Sequence, residues 1–297
     1  MATRAKLEQA LLRFQQLEPV LACPICRTML RTQPPTSLLC QRHHSFDLAK
    51  NGMVHLVAGP TKTQPYEKRL FEQRHRLSQS GLFRPLLIEV AAQLGRHWSG
   101  HSNKILLDAG CGSGFALHYV REQLGLVQER PYGLGVDLAK AGVHLAAKTY
   151  DCLSWAVADL ANLPLQAGTC QGILNVLSPS NYSEFRRVLA PEGVVIKVLP
   201  TKAYLQEIRE ISSPGEELKQ YSNDAVLDRF RQEMHLLRQT TVRYLWPIKH
   251  EEIRAFLEMS PLTWNLPLDS LEAVLASGRE TVTMEFMVLV GARRQAN

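Results

Sequence analysis

Four residues near the N-terminus have the types and spacing that hold a metal ion. Cys23-Pro24-Ile25-Cys26 is a CxxC knuckle, and Cys40 and a histidine follow in the pattern C-x2-C-x13-C-x3-H. Zinc takes four soft or borderline ligands in a tetrahedron, and two knuckles joined by a short hairpin supply them. Spacing slightly favours His44 as the fourth ligand, because three intervening residues let the imidazole fold back; His43 is the competing choice. A redox CxxC would open a helix in a βαβ setting, which is absent here, and free thiols are the remaining alternative. A segment below about 40 residues cannot bury enough core to fold unaided, so a metal staple is physically reasonable. Cys111, Cys152 and Cys170 lack paired spacing and read as ordinary buried small residues.

A second group of residues has the chemistry of a nucleoside site. Ile105-Leu106-Leu107 is an apolar run that ends in Asp108 and passes through Gly110, Gly112, Ser113 and Gly114 as D-x-G-x-G-x-G. Glycines let the backbone turn sharply and let a ligand lie against it. The dinucleotide pattern G-x-G-x-x-G fails, since Phe115 or Leu117 stands at the last position, so a zwitterionic nucleoside fits better than a pyrophosphate. Asp137, followed by Leu138, closes the next strand, where a carboxylate accepts from ribose hydroxyls. Asp159 ends a third strand, in reach of an adenine amino group. Either acid alone reads equally as a helix N-cap. Three acids at three successive strand ends predict an S-adenosylmethionine fold.

The surrounding pattern supplies elements to position these groups. Strands are predicted at 132–137, 153–157, 172–177 and 194–199, with helices at 113–124, 139–149 and 183–189 and a last strand at 281–290. Such alternation predicts an α/β fold with a doubly wound parallel sheet. The expected organisation is an N-terminal extension over 1–20, with Leu7, Leu11, Leu12 and Phe14 at helical spacing, and a zinc-binding, RNA-recognising module over 21–58. A linker helix over 59–82 and a methyltransferase domain over 83–297 complete it. No apolar run is long enough to span a bilayer, and residues 1–20 lack the core of a secretory signal, so a cytoplasmic, reducing compartment and no membrane partner are expected. The net charge of +6 is uneven: residues 1–80 carry 12 Lys/Arg against 5 Asp/Glu, and the remainder is close to neutral. A polyanionic partner meeting the N-terminal quarter is the natural reading, against a merely solvated face.

The chain resembles the RlmA-type guanine-N1 methyltransferases of 23S ribosomal RNA. The likeness is carried by Cys23–Cys26, by Cys40–His44 running into Ser45-Phe46-Asp47-Leu48-Ala49-Lys50-Asn51-Gly52, and by Ser80-Gly81-Leu82-Phe83-Arg84-Pro85-Leu86. The glycine loop, Asn175-Val176-Leu177-Ser178-Pro179, Glu184–Pro191 and Met259-Ser260-Pro261-Leu262-Thr263-Trp264 extend it, so that it covers roughly residues 20–295. The 175–179 stretch leans toward the branch that includes macrolide-resistance enzymes. The resemblance implies a Rossmann-like class I methyltransferase fold, His44 as the fourth zinc ligand, and a homodimer. It also implies cofactor contacts at Phe83, Gly112, Ser113 and Tyr204, with Phe83 and Tyr204 standing where related sequences can have Tyr and His.

The implied reaction transfers a methyl group from S-adenosylmethionine to N1 of a guanine in a 23S rRNA hairpin. In-line attack on an activated sulfonium needs mainly alignment, and the N1 proton needs an acceptor that the residue pattern does not name. Asn175, at the end of the fourth strand, is expected either to meet the base edge or to cap a turn. The target guanine must be unstacked, which costs least in a loop. Arg27, Arg31, Arg42, Lys50, Lys62, Lys68 and Arg69 would hold phosphates. Two other classes compete: a metabolite or quinone methyltransferase with a structural zinc knuckle, which has no need of a basic N-terminal quarter, and a non-enzymatic RNA adaptor, against which the intact glycine loop argues.

Overall fold

The computed structural model describes residues 2–59, 65–98, 104–127, 129–212, 222–249, 255–256 and 280–294. Lys62 and the 259–264 stretch lie outside the described residues.

Eight strands form one mixed sheet, and three short strands form a separate antiparallel sheet. The small sheet is β1 (Leu30–Gln33), β2 (Ser37–Cys40) and β3 (Ser45–Asp47). The large sheet begins, unexpectedly, inside the zinc segment. β4 (Val54–Leu56) pairs in parallel with β7 (Ser154–Ala158), Val54 opposite Ala156 and Leu56 opposite Ala158. It covers an edge that would otherwise present unpaired backbone groups.

β5 (Ile105–Ala109), β6 (Tyr132–Asp137) and β7 run side by side in parallel. The chain then returns to the other side of β5 with β8 (Cys170–Val176) and β9 (Leu189–Pro200). All five residues of β5 and of β7 are buried, which explains their continuous apolar runs: parallel strands covered on both faces do not alternate. Between β8 and β9 the register jumps from Cys170–Leu189 to Gly172–Val194. The Pro191-Glu192-Gly193 segment therefore bulges out of a strand that begins at Leu189, ahead of the expected 194–199.

Two long strands close the far edge. β11 (Thr281–Ala292) lies antiparallel to β9, and β10 (His235–Pro247) lies antiparallel to β11. β10 is not among the strands expected: its residues are exposed or half-buried along its whole length, and its one alternating apolar row, Val242, Tyr244 and Trp246, is short and only partly buried against the core.

Helices cover both faces. On one side are α2 (Pro65–Ser80), α3 (Arg84–His97), α4 (Phe115–Leu124), α5 (Lys140–Thr149) and α7 (Gln206–Ser212). Trp98, Trp155, Leu174 and Phe286 anchor the core on that face. On the other side are α1 (Ala2–Leu17), α6 (Tyr182–Val188) and α8 (Asp224–Glu233), over a core that includes Phe14, Leu107, Phe185 and Phe230. α1 is part of the body: Ala10, Phe14 and Leu17 are fully buried, and Arg13 donates to the carbonyl of Leu153 at 3.1 Å. No helix among the described residues is long and apolar enough to cross a membrane.

Candidate active site and metal centre

The first knuckle and the β2–β3 turn bring Cys23, Cys26, Cys40 and His44 together, with their ligand atoms all within 4.8 Å of one another. The edges measure 3.6 Å between the sulfurs of Cys26 and Cys40, 3.6 Å from Cys23 Sγ to His44 Nδ1, and 3.4 Å from Cys40 Sγ to His44 Nδ1. A zinc tetrahedron with Zn–S near 2.3 Å has edges of roughly 3.8 Å, so these three edges are close to those of a tetrahedral zinc site. His43 is exposed, on a left-handed residue (φ 63°) whose turn delivers its neighbour to the cluster. His44, not His43, therefore completes the cluster.

The module is stitched to the loop that follows β7. The backbone amides of Ala22 and Gln166 donate to the carbonyls of Pro164 and Val20. The Asn162 side chain donates to Pro24, inside the CxxC, at 2.9 Å, and that of Gln166 donates to Leu21 and Arg27. Arg27 donates to the carbonyl of Leu163 at 3.0 Å and lies 3.8 Å from Glu184. Glu184, nearly buried, also takes the amide of Leu163 and two bonds from Arg187. These partners hold its carboxyl below the usual range, against a burial effect that acts upward. Arg27, expected on the RNA face, is therefore largely committed to the seam between module and sheet. Arg31, Arg42 and Lys50 are exposed, and Lys68 sits on the α2 surface 3.8 Å from Glu72.

A cavity of about 860 Å³ opens at the carboxyl ends of the parallel strands, where the order switches between β5 and β8. That crevice is where open α/β sheets bind ligands. Asp108, Gly110, Gly112, Ser113 and Asp137 line one end of it, and Phe83 and Tyr204 also reach its wall. Asp137 latches the glycine loop: Oδ2 accepts from Gly112 N at 2.8 Å and Oδ1 from Ala139 N at 2.9 Å. Burial moves its carboxyl above the usual range, partly offset by those amides and by Arg74.

Asp108 is the exceptional group. It is 1 % exposed, and neither oxygen has a hydrogen-bond partner among the described residues. It faces the Leu117 amide in the first turn of α4 from beyond hydrogen-bond reach, and burial, reinforced by the charge of Asp137, pushes its pKa up to about 8. A buried, unpaired carboxyl opening on a cavity is costly unless a cationic or donor group arrives. S-Adenosylmethionine, with an ammonium and a sulfonium, fits that demand.

The glycines differ in purpose. A Cβ on Gly110 (φ 88°) would lie 1.8 Å from Ser178 Oγ, so its absence lets the loop after β8 close on the glycine loop. A Cβ on Gly114 (φ 81°) would lie 2.5 Å from the Trp155 ring, so this residue seats α4 against the core and does not line the cavity.

Three other expected residues also lie off the cavity lining. Leu138 is 49 % exposed at the strand tip. The Asp159 carboxylate accepts from Ala161 N at 2.9 Å and shapes the loop that carries the zinc seam. Asn175, expected either at the base edge or as a turn cap, is fully buried. It donates to Ala109 O at 2.7 Å and Pro179 O at 2.9 Å, and it accepts from Ser180 Oγ at 2.7 Å and Lys197 Nζ at 2.6 Å. Its hydrogen-bonding capacity is spent. Asn175 thus holds the 176–180 loop, the turn-capping one of its two expected roles.

Two sets of cavity residues were not singled out in the sequence. α2, expected as a linker, contributes Phe71, Arg74 and Ser78 to the cofactor end. Lys197 on β9 also lines the cavity. A lysine inside the apolar run Val194–Leu199 was the available signal. Of the unpaired cysteines, Cys111 and Cys170 are buried as expected, but Cys152 is exposed.

Comparison with known proteins agrees with this architecture. The model described as "RlmA, N-terminal", a zinc ribbon, matches residues 21–63. YxjB of Bacillus subtilis, named as a 23S rRNA (guanine-N(1)-)-methyltransferase, is 34% identical over 273 residues, covering 91% of this chain and 96% of its own. The 23S rRNA (guanine(748)-N(1))-methyltransferase of Streptomyces fradiae is 30% identical over 86% of this chain and 90% of its own. A Micromonospora griseorubida protein named for guanine-N1 methylation of 23S rRNA is 28% identical over 94% and 98% respectively. With its zinc ligands assembled and its cavity at the sheet's switch point, this chain belongs to the RlmA-type 23S rRNA (guanine-N1)-methyltransferase family.

Proposed function

We propose that the protein methylates N1 of a guanine in 23S rRNA, with S-adenosylmethionine as donor. One observation carries this reading: relatives named for that activity align over nearly the whole chain, zinc ribbon and sheet together. When bound, S-adenosylmethionine supplies a methyl group already activated on sulfur. The chain's contribution is to place and shield the reactants. Asp108 offers the unpaired carboxylate for a cationic centre, Asp137 and the Gly112 loop present a polar rim, and Phe83 and Tyr204 supply apolar wall. Phe71 and Arg74 close that end from α2.

The zinc module and its exposed Arg31, Arg42 and Lys50 would present phosphate-binding charge to a folded hairpin. A cytoplasmic location and a homodimer complete the reading. They rest on sequence character and family resemblance, and light scattering of the purified protein measures the second.

Primer extension tests the reaction. Purified enzyme and S-adenosylmethionine should create one new stop in protein-free 23S rRNA, because N1 methylation blocks the Watson–Crick edge. Label appearing only in small extract components would favour a metabolite enzyme instead.

A further inference from the structure

Resting on that reading, we propose that Lys197 is the catalytic base, its amine taking the N1 proton of the target guanine as the methyl group is transferred. Asp108 lies on β5 and Lys197 on β9, with β8 between them, and both line the one cavity. The unpaired carboxyl of Asp108 suits the cationic donor, so the guanine is assigned to the β9 side, beside Lys197.

Lys197 is held in place from two sides. Its Nζ lies 2.6 Å from Asn175 Oδ1, its direct neighbour on β8, and also donates to the carbonyl of Ser178. The Ser178 side chain rests on Gly110. One residue therefore separates the amine from the cofactor loop. On its other side the β11 neighbour is Leu289. Val195 and Leu199, which share its face of β9, are packed in the apolar core.

A lysine in that row is expensive. It is 3 % exposed, and no carboxylate pairs with it among the described residues. Burial alone brings its pKa down to about 8. A loop anchor does not require a titratable group, since an amide would serve. A neutral amine, though, donates two hydrogen bonds and keeps one lone pair. Both bonds are accounted for by Asn175 and Ser178, which leaves the lone pair for a proton. A sulfonium in the same cavity disfavours the ammonium further.

The step balances. The N1–H bond breaks and its proton passes to Nζ, while the N1 electron pair forms the new N–CH3 bond. The electron pair of the broken S–C bond remains on sulfur, and the ammonium returns its proton to water near neutral pH.

The test is single-turnover transfer of labelled methyl to a 23S rRNA hairpin between pH 6 and 10. The wild-type rate should rise about tenfold per pH unit and level near pH 8. Lys197→Met should still bind S-adenosylhomocysteine by calorimetry, lose about 10²–10⁴-fold in rate, and lose the plateau. Small primary amines should restore Lys197→Ala, faster with greater amine basicity. A measurement on the intact enzyme stands independent of variant folding: with a target analogue of more acidic N1, the limb should stay near pH 8. A limb that moves with the analogue, a Lys197→Met rate within a few fold of wild type, or rescue that ignores amine basicity overturns the proposal. Wild-type enzyme that methylates no guanine overturns the substrate reading and this proposal with it.

Discussion

The side-chain amide of Asn162 donates to the carbonyl oxygen of Pro24 at 2.9 Å, joining the loop after β7 to the interior of the first zinc knuckle. Asn162 is three residues from Asp159 at the tip of β7, and its own amide bonds the Asp159 carbonyl. The metal cluster therefore braces the loop whose Leu160 approaches the glycine loop at Gly110.

Zinc removal should loosen both ends of that connection. Chelation, or Cys26→Ser, is expected to lower the melting temperature and to weaken S-adenosylhomocysteine binding, read by calorimetry without any RNA present. Unchanged affinity in a metal-free protein would confine the ion to RNA recognition.

Asp108 ties stability and ligand binding to pH. Its folded pKa of about 8 lies above the ordinary carboxylate value, so the folded ligand-free protein binds the extra proton. Its contribution to stability is present in full below about pH 4 and is lost as the pH rises to about 8, on the order of 5 kcal/mol across that window. Asp108→Asn should flatten this slope and raise the melting temperature of ligand-free enzyme at pH 8, while weakening binding of the cationic donor. Calorimetry in buffers of different ionisation enthalpy should show proton release when wild type binds S-adenosylmethionine.

Gly114→Ala places a methyl group 2.5 Å from Trp155 and 2.7 Å from Ala146 Cβ, on a backbone at φ 81°. A cost of about 2–4 kcal/mol is expected, measurable by urea denaturation. A loss under about 0.5 kcal/mol would mean that α4 shifts freely on the sheet.

The N-terminal helix is predicted to be structural. Phe14 is fully buried against the second core, so Phe14→Ala should cost about 3–5 kcal/mol. Near-neutral stability of that variant would return residues 1–20 to the status of an appendage.

The legible parts of the sequence were those governed by short-range rules. The Cys23-x2-Cys26 and Cys40-x3-His44 spacings are local, and the parallel strands declare themselves through burial on both faces, as in β5 and β7. Asp108 and Asp137 could be read because each ends a strand. What escaped depends on distant partners. β4 is three residues long and becomes a strand only beside β7. β10 is exposed or half-buried throughout and is defined by its pairing with β11. Phe71 and Arg74 sit on a helix with an unremarkable polar pattern, and only its docking near Gly112 makes them cavity residues. Asn175 was placed at the right strand end with two roles left open, and the choice between them was not legible because it depends on Lys197 and Ala109, which are distant in sequence and reach its side chain.

The central claim concerns which atom receives the methyl group. Purified protein, isotopically labelled S-adenosylmethionine and 23S rRNA, followed by digestion to nucleosides and mass spectrometry, measure it directly. The account predicts label in 1-methylguanosine, traced to a single guanine in a hairpin loop. Label in another nucleoside, or an RNA left unlabelled by enzyme that binds the donor and carries its zinc, would contradict it.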